Sequence, residues 1–175
     1  MSPDPASLTA IPEADAKAER PPLPPALMER VGFLLAMAKG GAESICMSAL
    51  APTGLHVRQY GLLLVLATEG PLSQGELAEW VRTDRTTMVA LVDDLEERGY
   101  VRRERNPLDR RAYLLQLTPE GRRALTRGRT LMRRAENQLL RSLDDREREQ
   151  LVELLGKIAV DIGRPPSELS KPLRG

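Results

Sequence analysis

The chain has 175 residues, 41% of them hydrophobic, and a formal net charge of +1 at pH 7. This length and composition allow one globular domain with a sizeable core, and the balanced charge means that any affinity for nucleic acid must come from locally concentrated basic residues. A single cysteine excludes an internal disulfide and a zinc site built on several cysteines, and it fits a reducing compartment.

Composition also argues against several classes of protein. The longest uninterrupted apolar run, Leu62 to Ala67, is far too short for a membrane span, and the N-terminus lacks the order of a secretory signal. With one histidine, one cysteine and no glycine-rich phosphate loop, the sequence offers no catalytic set, metal site or cofactor site. We therefore expect a cytoplasmic protein that is not an enzyme and has no membrane partner.

Proline and acidic residues dominate residues 1–25, which predicts a disordered N-terminal arm. From Ala26 the apolar residues follow helical spacing, and a long amphipathic helix is predicted over residues 26–51. A turn at Pro52 and Gly54 follows, and the run Val57 to Thr68 predicts a mostly buried helix.

Two short helices are predicted next. Ser73 and Glu76 have the spacing of a capping box for a helix from Gln74 to about Val81, in which Trp80 is expected in the core. Thr83 or Asp84 caps a second helix, which ends at Gly99. The buried face of this second helix is predicted to hold four residues with helical spacing: Met88, Leu91, Val92 and Leu95.

A basic β-hairpin is predicted directly after that glycine. Two strand-like runs, Tyr100 to Arg105 and Ala112 to Leu117, are joined by a turn-like segment over residues 106–111. Residues 98–111 hold six arginines against two acids, which is a local charge of +4. Together with the helices, the hairpin predicts a mainly α winged helix-turn-helix over residues 52–118 whose wing suits a phosphate backbone and a minor groove. Such a unit can also be a protein-docking adaptor, and a basic hairpin can be a solvated sheet edge.

Two further helices are predicted over residues 119–163, beginning at Thr118-Pro119 and at Asp144 with Glu147, before a flexible tail over residues 164–175. Their apolar stripes and that of the first long helix exceed what the small winged unit can cover. We therefore predict a homodimer formed by the N- and C-terminal helices, which would bind a pseudo-palindromic operator in double-stranded DNA.

The run DRTTMVALVDDLEERGYVRRERNPLDRRAYLLQLTPEGR resembles the multiple-antibiotic-resistance regulator (MarR) family of bacterial transcription factors. The wing tip of that family is matched by Asp109 and Arg111, and its following motif by Leu117, Thr118 and Gly121. The resemblance extends more loosely from Ala26 to Ile162. It implies dimerisation through the terminal helices, repression as the commoner outcome, and release from DNA by a small phenolic or other amphipathic effector or by oxidation of a cysteine.

Candidate DNA contacts lie at two helix starts and at the wing tip. At the start of the second helix, Arg85 is suited to a two-point contact with guanine in the major groove. By resemblance, Arg111 would enter the minor groove while Asp109 orients the wing arginines through an ion pair. Thr83 and Asp84 are expected chiefly as caps, and Ser73 either donates to a phosphate or only caps. The full candidate set is Ser73, Gln74, Thr83, Asp84, Arg85, Thr86, Thr87, Asp109, Arg110 and Arg111.

Three residues are candidates for sensing. His56 and Tyr60 lie one helical turn apart and would line an effector pocket, although capping or packing is the commoner role for such a histidine. Cys46 would act as a thiol-based redox sensor or simply fill buried space. Its place late in the first helix departs from the family members that sense peroxides, whose reactive cysteine lies near the start of that helix.

Overall fold

The computed structural model describes residues 23–109 and 111–162, so most of the predicted arm, Arg110 and the predicted tail lie outside the described residues. The elements are two N-terminal helices, a winged unit and two C-terminal helices. Their bounds are α1 (Pro25–Met28), α2 (Val31–Leu50), a 3₁₀ turn (Ala51–Thr53), α3 (Val57–Thr68), β1 (Leu72–Ser73), α4 (Gln74–Val81), α5 (Arg85–Glu97), β2 (Val101–Arg105), β3 (Tyr113–Leu117), α6 (Pro119–Leu139) and α7 (Asp145–Ile162).

Two compact units divide the chain, one ending at Met37 and the other beginning at Ala38. The described part of the first holds α1 and the start of α2. The sequence predicts one helix from Ala26, but the structure ends α1 at Met28 and starts α2 at Val31. Pro25 occupies the first turn of α1, where a missing N–H costs nothing.

The wing is a three-stranded antiparallel sheet in the order β1-β3-β2. Strands β2 and β3 confirm the predicted hairpin and pair from Val101 with Leu117 to Arg105 with Tyr113. The sequence analysis missed β1, in which Leu72 pairs with Leu115, because two residues are too few to show an alternating pattern.

The core of the second unit lies where the winged helices, the sheet and α6 meet. Met88, Val92 and Leu95 are buried and Leu91 is half-buried, which confirms the predicted face of α5. The other buried side chains of this core come from the loop before α3, from α3, α4 and α6 and from the sheet: Leu55, Leu62, Leu63, Leu66, Leu77, Val101, Leu115, Leu117, Ala124 and Leu125.

Trp80 is not a core residue, and the expectation that it packs inside is wrong. Its side chain is 59% exposed, whereas Leu77 in the same helix is fully buried. Helix α4 has only eight residues and buries the side that carries Leu77, Ala78 and Val81. Trp80 lies at the rim of that side because successive residues are about 100° apart around a helix.

One helical stretch among the described residues, Val31–Thr53, is long and apolar enough for a membrane span. Its mean hydropathy is 1.2, and little of it is buried. Glycine, serine and charged residues interrupt its apolar residues, so it does not appear in the sequence as a continuous apolar run. Lys39 and Glu43, which pair at 2.8 Å, lie within this stretch. A packed helix of a soluble protein can have the same length and mean hydropathy, so these two properties do not make the stretch a membrane span.

Gly121 marks the closest approach between α6 and the wing. Thr118 caps α6 by accepting from the Gly121 N–H at 3.0 Å, and its hydroxyl donates to the Gly99 carbonyl at 2.7 Å. A Cβ at position 121 would lie 2.1 Å from the Tyr100 carbonyl oxygen and 2.8 Å from Leu117 Cδ1. Only glycine permits this junction, because backbone atoms cannot move aside as the end of a flexible side chain can.

We expect Gly121→Ala to lower the free energy of unfolding by about 3 kcal/mol or more, because the new methyl group overlaps backbone. Urea titration followed by circular dichroism measures the change. Gly61→Ala in α3 is the matched control, since its Cβ would meet nothing within 4 Å. That control should be neutral or stabilising by up to about 1 kcal/mol. Equal midpoints for the two variants would contradict the close approach.

Candidate nucleic-acid interface

The start of α5 is held by Asp84. Its carboxylate accepts from the Thr87 backbone N–H at 2.9 Å and from the Thr87 hydroxyl at 2.6 Å. These bonds, from the Thr87 hydroxyl first and then its backbone, lower the pKa of Asp84 below its ordinary value. Thr83 is half-buried, and its N–H closes the preceding turn on the Ala78 carbonyl at 3.1 Å. The sequence allows either Thr83 or Asp84 as the cap of α5, and in the structure the cap is Asp84.

Of the three side chains that the sequence predicts as major-groove contacts at the start of α5, two are exposed. Arg85 and Thr86 are exposed, whereas Thr87 is half-buried and its hydroxyl is engaged by Asp84. Arg85 lines a cleft of about 350 Å³ between α4 and α5 together with Gln74. The fold thus brings together a guanidinium from α5 and an amide from the start of α4, although they are eleven positions apart.

Ser73 caps α4 in the predicted capping box. Its hydroxyl accepts from the Glu76 N–H at 3.2 Å, and its own N–H donates to the Glu76 carboxylate at 2.8 Å. The hydrogen bonds from the side chain and then the backbone of Ser73 lower the pKa of Glu76. The Ser73 hydroxyl therefore bonds to Glu76 both as acceptor and as donor, which makes Ser73 a helix cap, and its contact with a phosphate stays a prediction.

Three of the six hairpin arginines are engaged within the fold. Arg103 donates to Asp93 at 2.7 Å and to Glu96, both on α5, and its hydrogen bond to Asp93 is the main cause of its raised pKa. Arg102 pairs with Glu104 at 2.7 Å. The pairs of Arg103 attach the wing to α5, whereas the Arg102 pair lies within β2, and both reduce the charge that the sequence count assigned to DNA.

Arg98 is the third engaged arginine. It pairs with Asp94 at 2.8 Å and donates to the Gly54 carbonyl, also at 2.8 Å. Within the described part of the chain, Arg105 and Arg111 are exposed and form no ion pair, so they remain as the cations of the wing. Arg110 lies outside the described residues.

The wing tip is built from two local hydrogen-bonded turns. Asn106 accepts from the Leu108 N–H at 2.9 Å, and Asp109 accepts from the Arg111 N–H at 2.9 Å. The resemblance gave Asp109 an ion pair with wing arginines, but among the residues that the structure describes its carboxylate bonds to backbone instead. Asp109 therefore orients Arg111 through the main chain.

Gln59 is the buried polar side chain of the described core, with 5% exposure. Its amide oxygen accepts from the His56 N–H at 2.8 Å, and its amide nitrogen donates to Asp94 on α5. The pKa of Asp94 is lowered chiefly by its bond to Arg98, with Gln59 as a further cause. We name the chain of contacts Gly54, His56, Gln59, Asp94 and Arg98 the α3–α5 junction. The spacing of His56 and Gln59 fits a capping box, which was the available sequence signal for Gln59.

The two proposed pocket residues separate in the structure. His56 caps α3, where its Nδ1 accepts from the Arg58 N–H at 3.3 Å, and it borders a groove of about 480 Å³. Tyr60 instead packs on α6, where its ring lies 3.0 Å from the point at which a side chain on Gly128 would place its Cβ. The groove joins α2, α3 and α5, and its walls are Glu43, Met47, His56, Val57, Arg58, Thr87 and Leu91.

Cys46 is half-buried on α2. Burial is the main cause that raises the pKa of its thiol, and the charge of Glu136 adds to it. A raised pKa keeps the thiol protonated and reduces its reactivity toward oxidants. Within residues 23–109 and 111–162, no three histidine, cysteine or acidic side chains converge as a metal site would need.

Helix α5 is capped and takes the place of the recognition helix in a helix-turn-helix unit. Together with the basic wing beside it, this helix defines a winged helix-turn-helix DNA-binding protein. The model of the MarR family matches residues 53–112. HTH-type transcriptional repressor NicR of Pseudomonas putida is 30% identical over 130 residues, which are 74% of this chain and 82% of NicR. The chain belongs to the MarR family, and its relatives are transcriptional regulators rather than enzymes.

Two further comparisons agree with this assignment. A putative transcriptional regulatory protein for the hcr operon of Thauera aromatica is 39% identical over 99 residues, covering 57% of this chain and 60% of that relative. The crystal structure of CouR from Rhodococcus jostii RHA1 bound to p-coumaroyl-CoA is 34% identical with a TM-score of 0.70, covering 78% of this chain and 96% of CouR. The fold class predicted from sequence, a winged helix-turn-helix with a small β wing, is thereby confirmed.

We expect Arg111→Ala to weaken binding to duplex DNA about tenfold or more at low salt and to reduce the salt slope of log K by about 1, because one phosphate-region cation is lost. Arg102→Ala is the matched control, since Arg102 is already paired with Glu104 and Gln116. Fluorescence anisotropy over a salt series measures both quantities. Equal losses in the two variants would show that internal pairing does not decide which wing arginine contacts DNA.

Proposed function

We propose that the protein acts in the cytoplasm as a homodimeric repressor that binds a pseudo-palindromic operator and is released by a small amphipathic effector. The observation that carries the proposal is the pattern of engaged and exposed arginines. Acids of α5 neutralise Arg98 and Arg103, while Arg85 at the recognition helix and Arg105 and Arg111 on the wing stay exposed. Cations at a helix start and on a wing suit the phosphate contacts that position a protein on duplex DNA.

The apolar face of α7 supports the dimer. No residue of this helix is buried, and along its apolar stripe Leu154 is 48% exposed, Leu155 39% and Ile158 39%. A monomer would leave a contiguous apolar stripe in water along an 18-residue helix. A second copy with the same stripe covers it by two-fold symmetry, and the same symmetry gives two recognition helices.

The groove between α2, α3 and α5 supports the effector. Its volume of about 480 Å³ falls within the range of small-molecule sites. Met47 and Leu91 are apolar, and Arg58 supplies a cation at the rim. Glu43 is paired with Lys39 at 2.8 Å, and this bond and, less strongly, the charge of Arg58 lower the pKa of Glu43. No ion pair engages Arg58 within the described residues, so we infer that it is the cation that meets a carboxylate in the groove. An aromatic acid or its thioester therefore suits the groove, in agreement with the p-coumaroyl-CoA bound by CouR.

Selection of duplexes from a random library by the purified protein tests the operator and the dimer together. The enriched sequences should contain two inverted half-sites about 34 Å apart, one turn of DNA, and sedimentation should give one dimer per duplex. Enrichment of a single half-site by a monomer would contradict the dimer. Recovery of no preferred sequence at any salt concentration would contradict operator binding itself.

Arg58→Ala tests the effector site. A panel of hydroxylated aromatic acids and their coenzyme A thioesters is titrated into the complex with the selected duplex. The variant should need about tenfold more of the active compound for half-release, because a charge-assisted hydrogen bond is lost. Its affinity for DNA should stay unchanged. Release of both proteins at the same concentration would place the effector elsewhere, and no release by any compound would contradict this effector class.

A further inference from the structure

Leu108 is the most exposed of the large hydrophobic side chains in the described chain, at 95%. It lies at the tip of the hairpin between Pro107 and Asp109, and Pro107 is exposed as well. A single leucine in water is common on protein surfaces, so exposure alone identifies nothing. The surroundings of Leu108 make it informative.

The backbone beneath Leu108 is fixed. Its N–H donates to Asn106 Oδ1 at 2.9 Å, and the Asn106 N–H donates to the Ala112 carbonyl at 2.9 Å. The Ala112 N–H in turn donates to the Asp109 carbonyl at 3.0 Å. These bonds hold the described residues around Leu108, which reduces the order that has to be imposed when the side chain meets a partner.

Cations flank this apolar tip. Arg105 and Arg111 are exposed on either side of it, and Asp109 is turned toward the backbone of Arg111. A surface with basic edges and an apolar centre matches the minor groove, whose rims are phosphates and whose walls are the hydrocarbon faces of deoxyribose. That groove is only about 6 Å wide, so a narrow hairpin tip enters it where a helix does not.

We propose that Leu108 packs against the deoxyribose walls of the minor groove and supplies an apolar contribution to DNA affinity. This inference rests on the proposed function, because it needs the wing to lie on duplex DNA. The contribution differs from that of the wing arginines in one measurable way. Burial of apolar surface releases no counterions, so it adds affinity without changing the salt slope.

Leu108→Gln tests the inference on the selected duplex, since glutamine keeps the length of the side chain and removes its apolar character. Affinity should fall about fivefold to twentyfold with an unchanged salt slope, in keeping with the partial burial of one leucine. Leu108→Met, which keeps the apolar volume, should bind nearly as the wild type does. Hydroxyl-radical footprinting, which attacks deoxyribose from the minor groove, should lose protection only at the sugars beneath the wing in Leu108→Gln.

Three outcomes would overturn the inference while leaving the proposed function intact. Wild-type affinity and footprint in Leu108→Gln would show that the side chain stays in water on the complex. An equal loss in Leu108→Gln and Leu108→Met would show that the shape of the tip matters and its apolar surface does not. A reduced salt slope in Leu108→Gln would show that the arginines had moved. Failure of the proposed function is separate, because the wild type would then select no duplex.

Discussion

The hydrogen bond from Gln59 to Asp94 is the contact on which the arrangement of α3 and α5 depends. It joins α3 to α5 across 35 positions of sequence, and it satisfies the buried amide of Gln59. A buried amide without a partner costs roughly 1–3 kcal/mol, so the bond fixes the relation of the two helices rather than merely accompanying it. Arg98 extends the same junction to the Gly54 carbonyl, where the chain turns before α3.

Helix α5 serves two purposes along its length, and its charges are divided accordingly. Its start carries Arg85 and Thr86, which are exposed. Its second half carries Asp93, Asp94 and Glu96, which hold Arg98 and Arg103. The acids therefore attach the wing to α5 through Arg103, and through Asp94 and Arg98 they attach the start of α3 to it.

Local features of the fold were predictable from sequence, and contacts between distant segments were not. The capping box at Ser73 and Glu76 and the left-handed Gly99, with φ of 68°, depend on neighbouring residues and appear where predicted. The exposure of Trp80 and the pairing of Leu72 with Leu115 depend on which elements meet in space. Counting charge along the hairpin could not show that Arg103 is neutralised, because its partners lie on α5.

The same limit applies to the site. Arg85 and Arg111 are predicted as DNA contacts from their places at a helix start and in a family motif, whereas the groove residues Glu43, Met47 and Leu91 share no sequence pattern. Their proximity arises only when α2, α3 and α5 pack. Leu108 was visible in the sequence as part of a turn. Only its measured exposure and the bonds beneath it separate it from an ordinary loop residue.

The carboxylates of Asp84 and Asp94, which hold the start of α5 and its contact with α3, do not make stability depend on pH near neutrality. The pKa values of Asp84 and Asp94 are lowered by their hydrogen bonds, so the folded values lie below the unfolded ones. Their contribution to stability is thus fully present above the unfolded pKa and is lost only as the pH falls through the folded value. The proposed response to a small molecule therefore does not depend on titration of these carboxylates. The groove is where a small molecule can contact both helices, next to the His56 cap and beneath Thr87.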